Sequence, residues 1–529
     1  MADIKQLLSD IKAAPRGPEI AAIFDFDGTI IAGYSATTFI LEQLRRGDLS
    51  PRDFIELMSA MTNFGLGSVG FSGMMAVSAQ FMRGIDETTY DTVGRELYKA
   101  KIARLIYPES RALIDAHLAK GHTVAIISSA TPYQVEPAAE DLGIPHVLCT
   151  RLEVDKGKFT GTVVSPTCFG QGKVDAAESL AARSGADLDN SFFYSDSQDD
   201  LLLLERVGHP KALNPSPRLL KIAQDRRWPI AKFGSRGRPT VAQFVRSVAA
   251  TSSLVGSFIA GLPIYALTGS RRESMNFSFS LFADTASALI GMNLQVRGEE
   301  HLWSHRPAVF VFNHQSKADV VIIAKLIRRD MAGIGKQEIK KETPIIGKVM
   351  ELGGVVFVDR SNAASAIESM APLVDAMRKD GKSVVLAPEG TRTVSPRLAP
   401  FKKGAFHLAI QAGVPMIPIV IHNAGDVAPK GDFVFRPGTV DVDVLPPIDT
   451  SNWSVATINE HVREVRNLFA KTLGQPEEPA PQRKAAAKPK ARPKAKPKAK
   501  PKAKPKAKPK AKPKAKSAPR GKSRASTKQ

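Results

Sequence analysis

Cysteine is nearly missing from this chain: Cys149 and Cys168 are the only two among 529 residues. Two thiols build no disulfide framework, so a reducing cytoplasm is the simpler setting and both read as core thiols. The opening stretch, MADIKQLLSDIKAAP, lacks an apolar run and carries acids and lysines throughout, so no secretory signal is expected. Acid is missing from the other end. From Arg483 to Gln529 there are 21 Lys and Arg and no Asp or Glu. The whole chain has 74 basic and 52 acidic side chains, so 53 basic residues remain to face the 52 acids upstream. The net charge of +22 therefore belongs to a tail and not to a folded surface.

That tail also lacks any apolar side chain larger than alanine over Pro493–Lys516, where the tetrad PKAK repeats six times. A proline at every fourth residue removes helix hydrogen bonds, and no core can form, so residues 476–529 are expected to be extended and disordered. Three roles compete for it: attachment to an anionic membrane surface, nucleic-acid binding through phosphates, or a solvated appendage. The absence of aromatics for base stacking weighs against nucleic acid.

At roughly 150 residues per domain, the length suggests two to four units. Short apolar runs ending in polar residues recur in the first part: EIAAIFD at 19–25, then HTVAIISS and SFFYSDS. Helical stretches separate them. That alternation predicts an α/β domain with a parallel sheet, whose chemistry gathers at the carboxyl ends of its strands. A second set, AVFVF, GVVFV, SVVLA and MIPIVI, predicts a second α/β domain. Between them, Ser247 to Ser270 holds no charge, and Met275 to Val296 is broken only by Asp284. This pair is expected to dip into one leaflet or lie at the interface, with full spans or buried core helices as alternatives.

The first chemical corner is IFDFDGTI. Asp25 and Asp27 lie two apart at a strand end, with Gly28 and Thr29 behind. Paired carboxylates repel and call for a cation, for which Mg²⁺ is the hard, oxygen-seeking candidate. One carboxylate can attack phosphorus; the other can protonate the leaving oxygen and then activate water. Asp-x-Asp alone occurs by chance in surface loops. Here Ser129, Lys173, Asp196 and Asp200 follow in order, supplying a hydroxyl, an ammonium and further carboxylates. The set resembles the haloacid dehalogenase-like phosphatases, in their phosphoserine-phosphatase-like branch. The resemblance implies Asp25 as nucleophile and Asp27 as general acid/base. It assigns Ser129 and Lys173 to the phosphoryl group, and Asp25, Asp27 (through its carbonyl), Asp196 and Asp200 to the metal site. Ser195 stands where that family often has glycine. The implied cap, about residues 34–110, contains a charge-free run, Leu57–Met82. It reads either as packed cap helices or as a greasy lid for a lipid phosphate.

The second corner is VFNHQSKAD. His314 follows a strand, and its imidazole can take a proton from a hydroxyl. Asp319, five residues on, is about 140° away round an ideal helix. The two meet only if His314 lies in the turn before the helix. No nucleophilic Cys or GxSxG elbow accompanies the His, so direct attack by a substrate hydroxyl is the natural route. Strands ending in FVDR and APEGTR offer Arg360 and Arg392, whose planar forks suit a phosphate monoester. These blocks, with VPMIPI, resemble the glycerolipid acyltransferases that make phosphatidic acid. The resemblance implies His314 as base and Asp319 as its orienter. It gives Phe357, Arg360, Glu389, Gly390, Thr391 and Arg392 to the glycerol-phosphate, with Lys336 as a further contact. It also implies an acyl-CoA or acyl-carrier-protein donor and lysophosphatidic acid as acceptor.

The expected layout is a phosphatase domain over 1–235, a linker and membrane-associated helix pair over 236–296, an acyltransferase domain over 297–475 and a tail from 476. The expected whole is a bifunctional phospholipid-biosynthesis enzyme on the cytoplasmic face of the cell membrane. The alternative is an acyltransferase with a catalytically silent, regulatory phosphatase-like module.

Overall fold

The computed structural model describes residues 4–479, except 48, 66–69, 238, 337–341, 343, 345–346, 349–350, 352–353 and 359–369. Residues Met1–Glu478 form one compact unit. The PKAK tail lies outside the described residues, and so does Arg360.

The first sheet is built from β1 (Ala21–Phe24), β2 (Thr123–Ser128) and β3 (His146–Cys149). An antiparallel hairpin, β4 (Leu152–Asp155) and β5 (Lys158–Val163), stands apart. The sheet then resumes with β6 (Phe192–Ser195), β7 (His209–Leu213) and β8 (Ile230–Ala231). Its order is β3-β2-β1-β6-β7-β8, and every pairing is parallel. Strand β1 reads AAIF, and all four residues are buried, as a central strand covered on both faces requires. The chain leaves β1 toward β2 on one side and later returns to β6 on the other. The crevice at that reversal is where open α/β sheets place ligands.

Helices Ser35–Arg46, Pro51–Gly65, Phe71–Gln80 and Glu87–Leu97 form the cap. The β4–β5 hairpin, which sequence patterning missed, joins them: Gly84 N–H donates to the Phe159 carbonyl at 2.8 Å, and Asp86 bridges to Lys158.

The second sheet contains β9 (Met292–Arg297), β10 (Val309–Phe312), β11 (Met331–Lys336), β12 (Val355–Val358), β13 (Ser383–Leu386), β14 (Met416–Ile421) and β15 (Gly438–Val444). Its order is β12-β11-β13-β10-β14-β15-β9, parallel except where β14 meets β15. Here the structure differs from the sequence reading. Residues Met292–Arg297 do not extend an apolar helix; they pair with β15 along their full length. Gly291, at φ 76°, ends the helix Arg271–Ile290 and turns the chain into the strand.

That helix packs against Val241–Thr268, the one helix among the described residues long and apolar enough to cross a membrane. Small residues let the two backbones approach. A Cβ on Gly261 would meet Ser278 Oγ at 2.2 Å, and Ser274 Oγ donates to the Gly261 carbonyl at 2.8 Å. Phe282, Ala283, Ala286 and Ile290 join the core of the second sheet. Arg271–Ile290 is thus held by protein, whereas Val241–Thr268 turns Ile259, Leu262, Tyr265 and Leu267 outward.

Candidate functional site

Two sites stand at the carboxyl ends of the two central strands. In the first, Asp25 directly follows β1 and is buried. Lys173, near the start of helix Gln171–Ser184, reaches it across 148 residues of sequence: Nζ lies 2.9 Å from Asp25 Oδ1 and 2.7 Å from Asp200 Oδ1. Burial opposes the ammonium charge, but Asp200 and Asp25 hold the Lys173 pKa above its ordinary value. The Asp27 carboxylate accepts from Ser35 twice, N–H at 2.7 Å and Oγ–H at 3.1 Å. Asp196 follows β6 and approaches Thr29, Oγ1 to Oδ1 at 3.5 Å. Gly28 sits at φ 76°, where a Cβ would meet Asp196 Oδ2 at 2.2 Å, so glycine is required twice over. Ser129 directly follows β2, the strand paired with β1.

Four carboxylates share this pocket with one ammonium. Burial, compounded by mutual repulsion, raises Asp25 to about 6, Asp27 to about 7 and Asp196 to about 8. Among the described residues no three His, Cys, Asp or Glu side chains stand ready-grouped around a metal position. The donor set nevertheless fits a hard divalent cation: a buried all-oxygen cluster whose negative charge Lys173 only partly offsets.

Sequence reasoning missed several supports. Ser195 is buried, donates its hydroxyl to Asp200 Oδ2 at 2.7 Å and accepts from Ser197 N–H at 3.0 Å. A glycine there could do neither, so this departure from the family pattern has a structural role. Asn214 donates to the Gly28 carbonyl at 3.1 Å and ties down the turn behind Asp27. Cys168 lies nearby, its thiol pushed up to about 12 by burial.

In the second site His314 occupies the turn between β10 and the helix Asp319–Ile327, the placement that the His–Asp spacing demanded. Its Nδ1 lies 2.7 Å from Asp319 Oδ2. Asp319 is 0% exposed, and the same oxygen accepts from Gln315 N–H and Ser316 N–H, both at 2.9 Å. The imidazole is 25% exposed, so its Nε2 edge is the one available to a reactant.

The loop after β13 grips this turn. Thr393 N–H donates to the His314 carbonyl at 2.8 Å. The Glu389 carboxylate, an expected glycerol-phosphate contact, accepts from His314 N–H at 2.7 Å and Ala399 N–H at 2.9 Å, and only 3% of the residue is exposed. These two hydrogen bonds tie the loop after β13 to the His314 turn. Burial raises its pKa to about 7 against those two hydrogen bonds. Gly390 turns at φ 74° beside Lys402, Thr391 is exposed, and Arg392 is half-buried near Lys317 and Lys430, two cations the motif reading passed over. Phe357 lies on β12, its ring over Gly335 of the next strand. Lys336 closes β11, but its side chain, like Arg360, lies outside the described residues.

The haloacid dehalogenase-like hydrolase family matches residues 22–205, and the acyltransferase family matches residues 293–422. A Mycobacterium tuberculosis protein named as a probable phosphatase is 33% identical over 264 residues, covering 48% of this chain and 90% of its own. A 1-acyl-sn-glycerol-3-phosphate acyltransferase from Limnanthes alba is 33% identical over 191 residues, 36% of this chain and 67% of its own. The chain belongs to both families. A solved 1-acyl-sn-glycerophosphate acyltransferase from Thermotoga maritima has a TM-score of 0.38 and 22% identity, covering 44% of this chain and 95% of that one. Both halves of this hydrolase–acyltransferase thus come from enzyme families, and each carries its polar cluster at the switch point of its own sheet.

Proposed function

We propose that the chain is a bifunctional glycerolipid enzyme: a 1-acylglycerol-3-phosphate O-acyltransferase joined to an active phosphomonoesterase. The observation that carries the transferase reading is the 2.7 Å contact between His314 Nδ1 and the buried Asp319 carboxylate. It orients the ring so that Nε2 can accept the proton of the acceptor hydroxyl. The hydroxyl oxygen attacks the thioester carbonyl, the carbon–sulfur bond breaks, and the proton held on His314 passes to the departing thiolate. The donor is an acyl-CoA or acyl carrier protein thioester. Arg392, Gly390 and Thr391, with Phe357, Arg360 and Lys336, bind the glycerol-phosphate, and the neighbouring Lys317 and Lys430 add positive charge for its phosphate.

In the phosphatase, Asp25 attacks phosphorus and Asp27 protonates the leaving oxygen. Asp27 then takes a proton from the water that hydrolyses the aspartyl-phosphate. Lys173 and Ser129 hold phosphoryl oxygens. Asp25, Asp196, Asp200 and the Asp27 carbonyl would hold Mg²⁺, which when bound supplies neutralising charge for those oxygens. The Lys173 bridge between Asp25 and Asp200 favours a working site over a silent regulatory module, because a module that had lost its chemistry has no need of a buried ammonium there.

The outward Ile259, Leu262, Tyr265 and Leu267 support docking on a membrane, at the cytoplasmic face where acyl donors reside. The decisive experiment supplies labelled lysophosphatidic acid and an acyl-thioester to wild type, His314→Ala and Asp25→Asn. Phosphatidic acid should vanish only with His314→Ala, and phosphate release from a generic ester only with Asp25→Asn. Retention of transfer in His314→Ala would refute the assignment.

A further inference from the structure

Part of the transferase site is held from the hydrolase half. The connection from the end of β14 at Ile421 to the start of β15 at Gly438 runs 16 residues and contains only the one-turn helix Ala424–Val427. A connection of that length keeps one shape only if its backbone groups find partners elsewhere. It carries two groups beside the proposed phosphate site. Lys430 Nζ donates to the Arg392 carbonyl at 2.8 Å, and the Phe433 ring lies 5.5 Å from Lys317 Nζ. Between Lys430 and Phe433, Gly431 turns at φ 90°, and its carbonyl accepts from Arg104 Nη1 at 2.9 Å.

Arg104 belongs to the hydrolase half, 327 residues away. It sits in the short turn Ala103–Leu105 that follows the cap helices. That turn is pinned on both sides: Ala32 N–H donates to the Leu105 carbonyl and Tyr107 N–H to the Ile30 carbonyl, both at 2.9 Å. Ile30 and Ala32 lie in the segment directly after Asp27, so the guanidinium is presented from a fixed base. A second arginine grips the start of the same connection. The Arg236 side chain is 7% exposed and donates through Nη2 to the Gly425 carbonyl at 3.2 Å and through Nη1 to the Asp426 carbonyl at 3.3 Å. Val394, two residues past Arg392, packs on the core of the first sheet.

We infer that Arg104 is a positioning residue for acyl transfer: by holding Gly431 it fixes Lys430 and Phe433, and through them the Lys317, Lys430 and Arg392 cations that meet the acceptor phosphate. The inference rests on the acceptor-site reading proposed above. Like charges repel, so a loop that gathers cations needs a tie from outside to stay closed. The His314–Asp319 pair needs no such tie, because Asp319 is held by the Gln315 and Ser316 N–H groups of its own turn. Loosening the connection therefore weakens acceptor binding and spares proton transfer. The hydrolase half thus supplies part of the transferase scaffold, a physical reason for the two to share one chain.

The test compares the full chain with its Arg104→Ala variant. Acyl transfer is followed with lysophosphatidic acid varied at saturating acyl-CoA, and with acyl-CoA varied at saturating acceptor. Arg104→Ala should raise KM for lysophosphatidic acid about fivefold, which corresponds to about 1 kcal/mol, the usual net contribution of one hydrogen bond. The kcat and the KM for acyl-CoA should stay within twofold, as should hydrolysis of p-nitrophenyl phosphate, which reports on the hydrolase fold. Lys430→Ala should raise the same KM, and adding Arg104→Ala to it should cost less than a further twofold, because both act through one loop. An unchanged KM, a loss confined to kcat, full additivity with Lys430→Ala, or an equal loss of phosphatase activity would overturn the inference. If wild type transfers no acyl group to lysophosphatidic acid, the acceptor-site reading fails first. Hydrogen exchange over residues 425–433 then decides the brace: faster exchange in Arg104→Ala upholds it, and identical exchange overturns it.

Discussion

Replacing Asp319 with asparagine tests the transferase at the point where charge and geometry can be separated. The carboxylate is wholly buried, and one oxygen receives three hydrogens, from His314 Nδ1, Gln315 N and Ser316 N. Its other oxygen, Oδ1, is buried without a hydrogen-bond partner. An asparagine can put its carbonyl oxygen where Oδ2 stands and its amide where Oδ1 stands, keeping all three contacts and losing the charge, at the stability cost of a buried amide. That charge stabilises the imidazolium formed when His314 takes the hydroxyl proton. With charge centres about 4 Å apart, Coulomb's law at an effective dielectric near 20 gives about 4 kcal/mol, or roughly three decades in rate. Partial exposure of the ring lowers this, so Asp319→Asn should reduce kcat for acyl transfer by about 10²–10³. Release of free thiol from acyl-CoA reads the transfer. Hydrolysis of p-nitrophenyl phosphate by the same protein reports on folding and should stay constant. A loss smaller than fivefold would show that Asp319 is only a packing residue. A parallel fall in phosphatase activity would show that the variant misfolds.

Chelation should separate the halves: a divalent-cation chelator is expected to abolish phosphate release, restored by added Mg²⁺, while acyl transfer continues unchanged. Glu389 supplies a pH prediction. Its folded pKa, about 7, lies above the ordinary 4.5, so the folded state binds the extra proton between those values and stability falls as pH rises through them. The penalty reaches roughly 3 kcal/mol above pH 7. Glu389→Gln should flatten the decline in transferase unfolding midpoint between pH 5 and 7.5, and an unchanged slope would remove Glu389 as its source. Substituting Ile259, Leu262 and Leu267 with serine should weaken sedimentation with anionic vesicles at least tenfold, since burying each side chain in lipid contributes about 1.5–3 kcal/mol. Undiminished binding would mean that the Val241–Thr268 face does not touch the membrane.

Several of these residues were visible without coordinates, and the reason is local. Asp25 and Asp27, or His314 and Asp319, are neighbours in the chain at the end of an apolar run, so strand ends and their chemistry can be read together. Apolar runs alternating with helical stretches pointed to a parallel sheet in the first part and a second α/β domain after it. Edge and antiparallel strands escaped because their patterns are weak. Strand β9 is short, alternates its burial and follows an apolar helix, so it read as more helix. The β4–β5 hairpin is half-exposed and polar.

What the amino-acid order determined by itself is which chemistries are present: two clusters of reactive groups at strand ends, two thiols unfit for a disulfide framework, and a tail that carries no acid from Arg483 onward. Tertiary structure alone decided which groups act together, because a side chain's partner is set by packing across distant segments. It put Lys173 between Asp25 and Asp200 and gave Ser195 a carboxylate to hold. It also bonded Glu389 to the His314 backbone, across 75 residues of sequence.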